Sequence, residues 1–202
     1  MERKIALGIS TLFHPLLVPT LFVFVLLRID PHFFFSYGAP QKLAIVQVVA
    51  FGTILPGLIY LIVSRLFSKK NIFGKWSLLE RTIGLFVVGL LNLEFWYLIK
   101  TWGMNPAIGQ FFLASSVVLI CLAIISSRYK ISIHAASWAG ALTALFISFS
   151  NHHYFSFPVI AGFTLILGLV GSSRMILGEH TLGQIVSGTV LAAGVFSGLN
   201  LL

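Results

Sequence analysis

Six polar residues in an otherwise apolar chain have the chemistry that handles phosphate: Arg81, Ser132, His134, Ser173, Arg174 and His180. Arginine offers a planar, permanently charged fork of N–H donors that matches phosphate oxygens. Two histidines near neutral pH can divide the work of nucleophile and general acid. Two serine hydroxyls and the backbone donors at helix N-termini would complete a cradle for an anion. Ionisable groups at membrane depth are costly, so each is a functional candidate where several converge.

The elements that must bring them together follow from composition. Of 202 residues, 58% are hydrophobic and only 9% charged, against about 25% charged in an average soluble domain. Mean hydropathy is +1.01. An ordinary soluble enzyme and a disordered chain are both excluded, and the expected fold is all-α, a polytopic transmembrane helix bundle forming a single integral membrane domain over 1–202. A spanning helix needs about 20 apolar residues, and seven stretches qualify, near 5–27, 43–64, 82–99, 106–127, 131–150, 157–172 and 181–202. The charged start Met-Glu-Arg-Lys precedes an apolar run too long for a cleaved signal, so the first stretch is read as a retained span. The lone Cys121 forms neither a disulfide framework nor a cysteine metal cluster. No carboxylate cluster suggests a metal, and no cofactor is expected.

Seven spans alternate sides, and all six candidates fall at one membrane face: Arg81 at the start of the third span, Ser132 and His134 at the fifth, Ser173 and Arg174 at the end of the sixth, His180 at the start of the seventh. That side also collects Arg3, Lys4, Arg65, Lys69, Lys70, Lys75, Arg128 and Lys130, against Arg28, Lys42 and Lys100 opposite. By the positive-inside rule the N-terminal side is expected to be cytoplasmic. The net charge of +8 points to anionic membrane lipid rather than nucleic acid.

The spacing has a recognisable form. Ser173-Arg174-Met-Ile-Leu-Gly-Glu-His180, followed by Gln184, resembles the third signature of the type 2 phosphatidic acid phosphatase superfamily, S-R-x5-H-x3-D. Ile131-Ser132-Ile133-His134 resembles its second signature, P-S-G-H, and Glu80-Arg81 a remnant of the first, K-x6-R-P. The resemblance covers about 75–190, and Phe13-His14-Pro15 with Gln184 resembles a bacterial, Bacteroidetes-type branch. It departs at Gly74, where Lys75 stands one residue out of register, at Thr82 in place of proline, and at Gln184 in place of the final aspartate. The resemblance implies a six-helix phosphatase-like core, a bacterial inner-membrane location and a metal-independent lipid phosphatase. His180 would be the nucleophile that becomes phosphohistidine, and His134 the general acid. Arg81, Arg174, Ser132, Ser173 and Lys75 would bind phosphate, and Gln184 would orient His180, with Glu179 or another carboxylate assisting. The substrate would be a lipid phosphate or polyprenyl (di)phosphate. A catalytically weak or inactive lipid-phosphate binder, a phosphotransferase and a small transporter are the competing functions.

Other polar residues have plainer readings. His14 with Pro15 reads as a kink-and-packing site, Asn92 and Glu94 as hydrogen-bonding between helices, and Lys69, Lys70 and Lys130 as a basic surface. His152 and His153 form a pair on the opposite side without an evident third metal ligand. Gly194 and Gly198 read as close helix packing, in the bundle or in a homodimer.

Overall fold

The computed structural model describes residues 1–68 and 78–199, so Lys69, Lys70 and Lys75 lie outside the described residues. The described chain is an all-α polytopic bundle, and seven of its helical segments are long and apolar enough to cross a membrane. The first comprises α1 (Glu2–Leu12), a 3-10 turn (Pro15–Leu17) and α2 (Val18–Ile29). A short α3 (Pro31–Ser36) leads to α4 (Ala39–Ser68), α5 (Leu78–Thr101), α6 (Pro106–Ser126), α7 (Ile133–Asn151), α8 (Phe157–Ile176) and α9 (Leu182–Leu199). The helices start where the sequence supplies caps. Proline occupies the first turn of α3, α6 and α8, and the side chains of Asp30, Asn105 and Ser132 accept amide hydrogens of α3, α6 and α7.

The expected first span is broken. Pro15 has no amide hydrogen, and His14 takes an extended conformation with its ring nitrogen accepting from the Leu16 amide. The sixth span also runs four residues longer than expected, because α8 continues through Ser173 and Arg174 to Ile176.

Helix α7 is the centre. Trp138, Leu145 and Phe149 are fully buried, and the alanines at 135, 136, 139, 141 and 144 let its neighbours approach closely. Between lipid-solvated helices such small-residue packing replaces the hydrophobic drive of soluble cores. Two glycines mark close approaches between α7 and α9. A Cβ on Gly140 would lie 2.7 Å from the Phe196 ring, and one on Gly188 would lie 2.6 Å from the Ser132 carbonyl oxygen. Gly194 and Gly198, read as close-packing positions, have no atom near an added Cβ, so they do not pack inside the bundle. Asn92 donates to Val88 in its own helix, and Glu94 is exposed, so neither makes the expected interhelical bond.

At one end of α7, Trp138 donates its indole N–H to the Phe13 carbonyl at 3.0 Å. At the other, Asp30 is completely buried; its Oδ2 accepts from the Ser148 hydroxyl at 3.1 Å and meets His152 Nδ1 at 2.7 Å, while Oδ1 caps α3. Helices α2 and α7 therefore run parallel and are tied at both ends. His152 stacks on His32 at 4.4 Å, and no group of three or more His, Cys, Asp or Glu among the described residues could hold a metal.

Removing the buried Asp30 carboxylate leaves the Ser148 hydroxyl, the His152 ring and the His32 amide without their acceptor. Asp30→Ala is expected to lower stability in detergent by about 1–3 kcal/mol, whereas Asp30→Asn, which keeps a carbonyl oxygen for the His32 amide and offers an NH2 whose hydrogen the Ser148 hydroxyl can accept, costs less. Gly188→Ala pushes against rigid backbone, and its expected cost is about 1–3 kcal/mol. Reversible unfolding in mixed micelles measures all three.

Candidate functional site

The non-helical stretch from Lys130 to Ser132 builds the site. Three consecutive residues each hold a different element through their backbone. The Lys130 carbonyl faces His180 Nδ1 at 3.1 Å, the Ile131 carbonyl accepts from the Arg81 guanidinium, and the Ser132 amide donates to the Gln184 carbonyl at 3.0 Å. The starts of α5, α7 and α9 are thereby drawn to one place.

On the other side of that frame, α8 ends in a turn that the sequence dictates. Gly178 adopts φ 70°, and the amides of Glu179 and His180 fold back onto the Arg174 carbonyl. Helix α9 then opens with a reciprocal cap: the Gln184 amide donates to Thr181 Oγ1 at 3.4 Å, and the Thr181 amide donates to Gln184 Oε1 at 3.2 Å. The same Oε1 lies 3.1 Å from His180 Nδ1. Both partners of Nδ1 are carbonyl oxygens, which only accept, so the ring proton sits on Nδ1 and Nε2 keeps its lone pair. Burial lowers the His180 pKa to about 4; the Gln184 hydrogen bond opposes this, and the charges of Arg174, Arg81 and Lys130 add to it. His180 is therefore a neutral imidazole at pH 7.

His180, His134, Arg81, Arg174, Lys130 and Glu179 all line one cavity of about 1090 Å³, at the upper end of the ~300–1,000 Å³ usual for small-molecule sites. Its far arm is apolar, walled by Leu85, Val88, Phe111, Val118, Leu119 and Leu122, and reaches Asn92. From Arg81 to Asn92 along α5 is about 16 Å by helical rise. One end is thus cationic and the other greasy.

The two arginines are held but not saturated. Arg174 Nη1 donates to Ser10 Oγ at 2.9 Å, and its Nη2 lies 3.9 Å from Glu179 Oε2. Its cationic head sits in the last turn of α8, where the helix dipole favours positive charge. The Nε–H groups of both Arg81 and Arg174 are buried without a hydrogen-bond partner. Buried donors without a partner show that hydrogen bonding around the two guanidinium groups is incomplete.

Not every expected residue reaches the cavity. Ser132 Oγ accepts the Ala135 amide at 3.3 Å as an N-cap, and Ser173 Oγ donates to the Val170 carbonyl at 2.8 Å; both serines are buried. Each serves its helix rather than a phosphate, because a backbone partner lies within reach and the cavity does not. Lys75 lies outside the described residues. Glu179, expected as an assistant to His180, pairs with Lys130 at 3.0 Å. Conversely, Lys130, expected on a basic surface, and His14, expected only as a kink, both line the cavity. The rings of His14 and His134 meet edge to face at 5.5 Å, and Ser10 Oγ lies 3.5 Å from His134 Nε2. Ser10 escaped the sequence reading altogether. Its four-residue spacing from His14 gives no shared helical face, because α1 ends at Leu12 and His14 is extended.

Fold and site together define a polytopic membrane bundle with a cationic cavity, lined by His14, His134 and His180, near the ends of its spans. No protein-family model, curated protein or solved structure matches the chain.

Histidine-selective NMR of the protein in micelles is expected to give His180 a pKa of about 4. Gln184→Leu removes the interaction that raises it and moves it lower, while Gln184→Glu adds a negative charge and moves it higher. Because the unfolded ring titrates near ~6.5, the unfolded chain binds the extra proton between the two values. The stability linked to neutral His180 is complete above that upper value and is lost as pH falls through about 4.

Proposed function

We propose that this protein is a membrane-embedded lipid phosphatase that removes a terminal phosphate from a lipid phosphate or polyprenyl (di)phosphate through a phosphohistidine on His180. The observation that carries this reading is the single cavity that joins a neutral histidine and two unsaturated arginines to an apolar arm about 16 Å long. The resemblance of Ser173-Arg174…His180 and Ser132…His134 to the type 2 phosphatidic acid phosphatase signatures supports the same assignment.

In this mechanism the lipid chain lies in the apolar arm and its phosphate between Arg81 and Arg174. The Nε2 lone pair of His180 attacks phosphorus in line, and the phosphorus–oxygen bond to the lipid breaks. The negative charge of the bound substrate lets His134 take up a proton, which it gives to the departing oxygen. Neutral His134 then takes a proton from water, whose oxygen attacks phosphohistidine and releases inorganic phosphate and His180. The arginines hold charge on the equatorial oxygens, a preorganised electrostatic stabilisation of the transition state. The Nδ1 hydrogen bonds to Gln184 and Lys130 aim the nucleophile and fix its tautomer. The charge distribution, ten Lys and Arg on the N-terminal side against three opposite, supports a bacterial inner-membrane protein with its site facing the cytoplasm.

Purified protein in neutral detergent is expected to release phosphate from phosphatidic acid, phosphatidylglycerol phosphate or an undecaprenyl phosphate, with turnover unchanged by EDTA. His180→Ala should abolish turnover, and Arg174→Ala should lower kcat/KM by roughly 10²–10³. Saturable binding of these lipids without phosphate release would instead identify a lipid-phosphate-binding protein. For orientation, Glu2→Cys in a Cys121→Ser background is expected to resist impermeant maleimide in intact cells and to react in inverted vesicles.

A further inference from the structure

Glu179 is the acidic side chain among the described residues that line the cavity. Its Oε2 lies 3.0 Å from Lys130 Nζ and 3.9 Å from Arg174 Nη2. A carboxylate and a phosphate offer these cations the same thing, anionic oxygens for charge-assisted hydrogen bonds. Glu179 therefore stands where a ligand's charge would be felt.

We propose that Glu179 is an internal competitor that makes the cavity select a terminal phosphate dianion over a phosphodiester headgroup; this rests on the cavity being the lipid-phosphate site. The bilayer surrounds the site with phosphodiester lipids, and an open pocket of arginines would fill with them. A diester carries one negative charge on two free oxygens, as Glu179 does. Exchanging one for the other gains no charge and breaks the ion pairs of Glu179 with Lys130 and Arg174. A terminal phosphate carries about −1.5 to −2 at pH 7 on three oxygens, so it gains charge on entering.

The geometry suits an exchangeable counter-ion among fixed cations. Arg174 is anchored to Ser10 and Arg81 to the Ile131 carbonyl. Lys130 and Glu179 are the more open pair, with side chains 41% and 27% exposed. Glu179 can swing toward water with Lys130 while both guanidinium groups stay in place. In the observed arrangement the Nε–H of both arginines has no acceptor, so hydrogen bonding at these cations is incomplete while Glu179 is in place.

The test uses full-length protein in neutral detergent at pH 8 and two probes, dodecylphosphonate and its monomethyl ester. They share one chain, differ by one charge and cannot lose phosphate, so binding is read without turnover. By calorimetry the wild type is expected to bind the phosphonate at least about tenfold tighter than the ester. Glu179→Gln should tighten ester binding by about tenfold and the phosphonate by less, nearly erasing the preference, whereas Glu179→Asp should retain it. The proposal is overturned if Glu179→Gln leaves the preference intact, if it weakens both ligands, if Glu179→Asp behaves like Gln, or if the wild type shows no preference. Melting curves confirm that each variant is folded. If the wild type binds neither probe, or Arg174→Ala binds the phosphonate as tightly as wild type, the cavity is not a phosphate site, and the proposal falls with that reading.

Discussion

The site hangs on a short length of irregular backbone. Between α6 and α7, the groups of Lys130, Ile131 and Ser132 that a helix would have consumed are left to bind His180, Arg81 and Gln184. Non-helical backbone near membrane depth survives only where protein satisfies it. Here the satisfaction is the assembly of the site, since each polar tie that stabilises the loop also positions a side chain. Gln184 closes the arrangement, because its carbonyl holds the loop while its side chain holds both the His180 ring and the start of α9. Gly188 makes this possible by letting α9 come against the Ser132 carbonyl.

The electrostatics follow from that convergence. Arg81, Arg174 and Lys130, with Arg3 and Lys4 also on the lining, share a cavity with the Glu179 carboxylate, and His180 beside them is held neutral by burial and by the charges of Arg174, Arg81 and Lys130. Neutrality is what a nitrogen nucleophile needs, so under the proposed function the cations that would hold a phosphate would also keep its attacker unprotonated. The break at His14 adds a further layer. By ending α1 early, it delivers Ser10 to Arg174 and sets the His14 ring against His134.

The far end of the bundle holds its counterweight. Asp30, wholly buried, gathers Ser148, His152 and the start of α3, and so fixes α2 along α7. In lipid, where apolar contact gives little preference for one helix arrangement over another, such polar ties and the glycine and alanine contacts of α7 decide the register. With α2 tied to α7 at Phe13 and again at Asp30, the broken first span cannot slide, and Ser10 and His14 stay level with the site.

The sequence by itself determined the all-α bundle, its seven apolar segments and the shared level of Arg81, His134, Arg174 and His180, because hydropathy over about 20 residues and the alternation of spans are local arithmetic. The contact between Gln184 and His180 was also legible, since four residues is one helical turn. Spacing could not say where side chains point. Ser132 and Ser173 matched a phosphate-binding pattern, yet their hydroxyls turn to Ala135 and Val170. Lys130 looked like surface, Glu179 like an assistant to His180, and Ser10 like nothing, until α1, α8 and the loop before α7 met. Those assignments depend on helix rotation and on contacts between residues more than a hundred positions apart, such as Ser10 with Arg174 and Asp30 with His152. Only the tertiary structure could decide them, because hydropathy sets how deep a residue lies in the membrane but not which neighbour it faces.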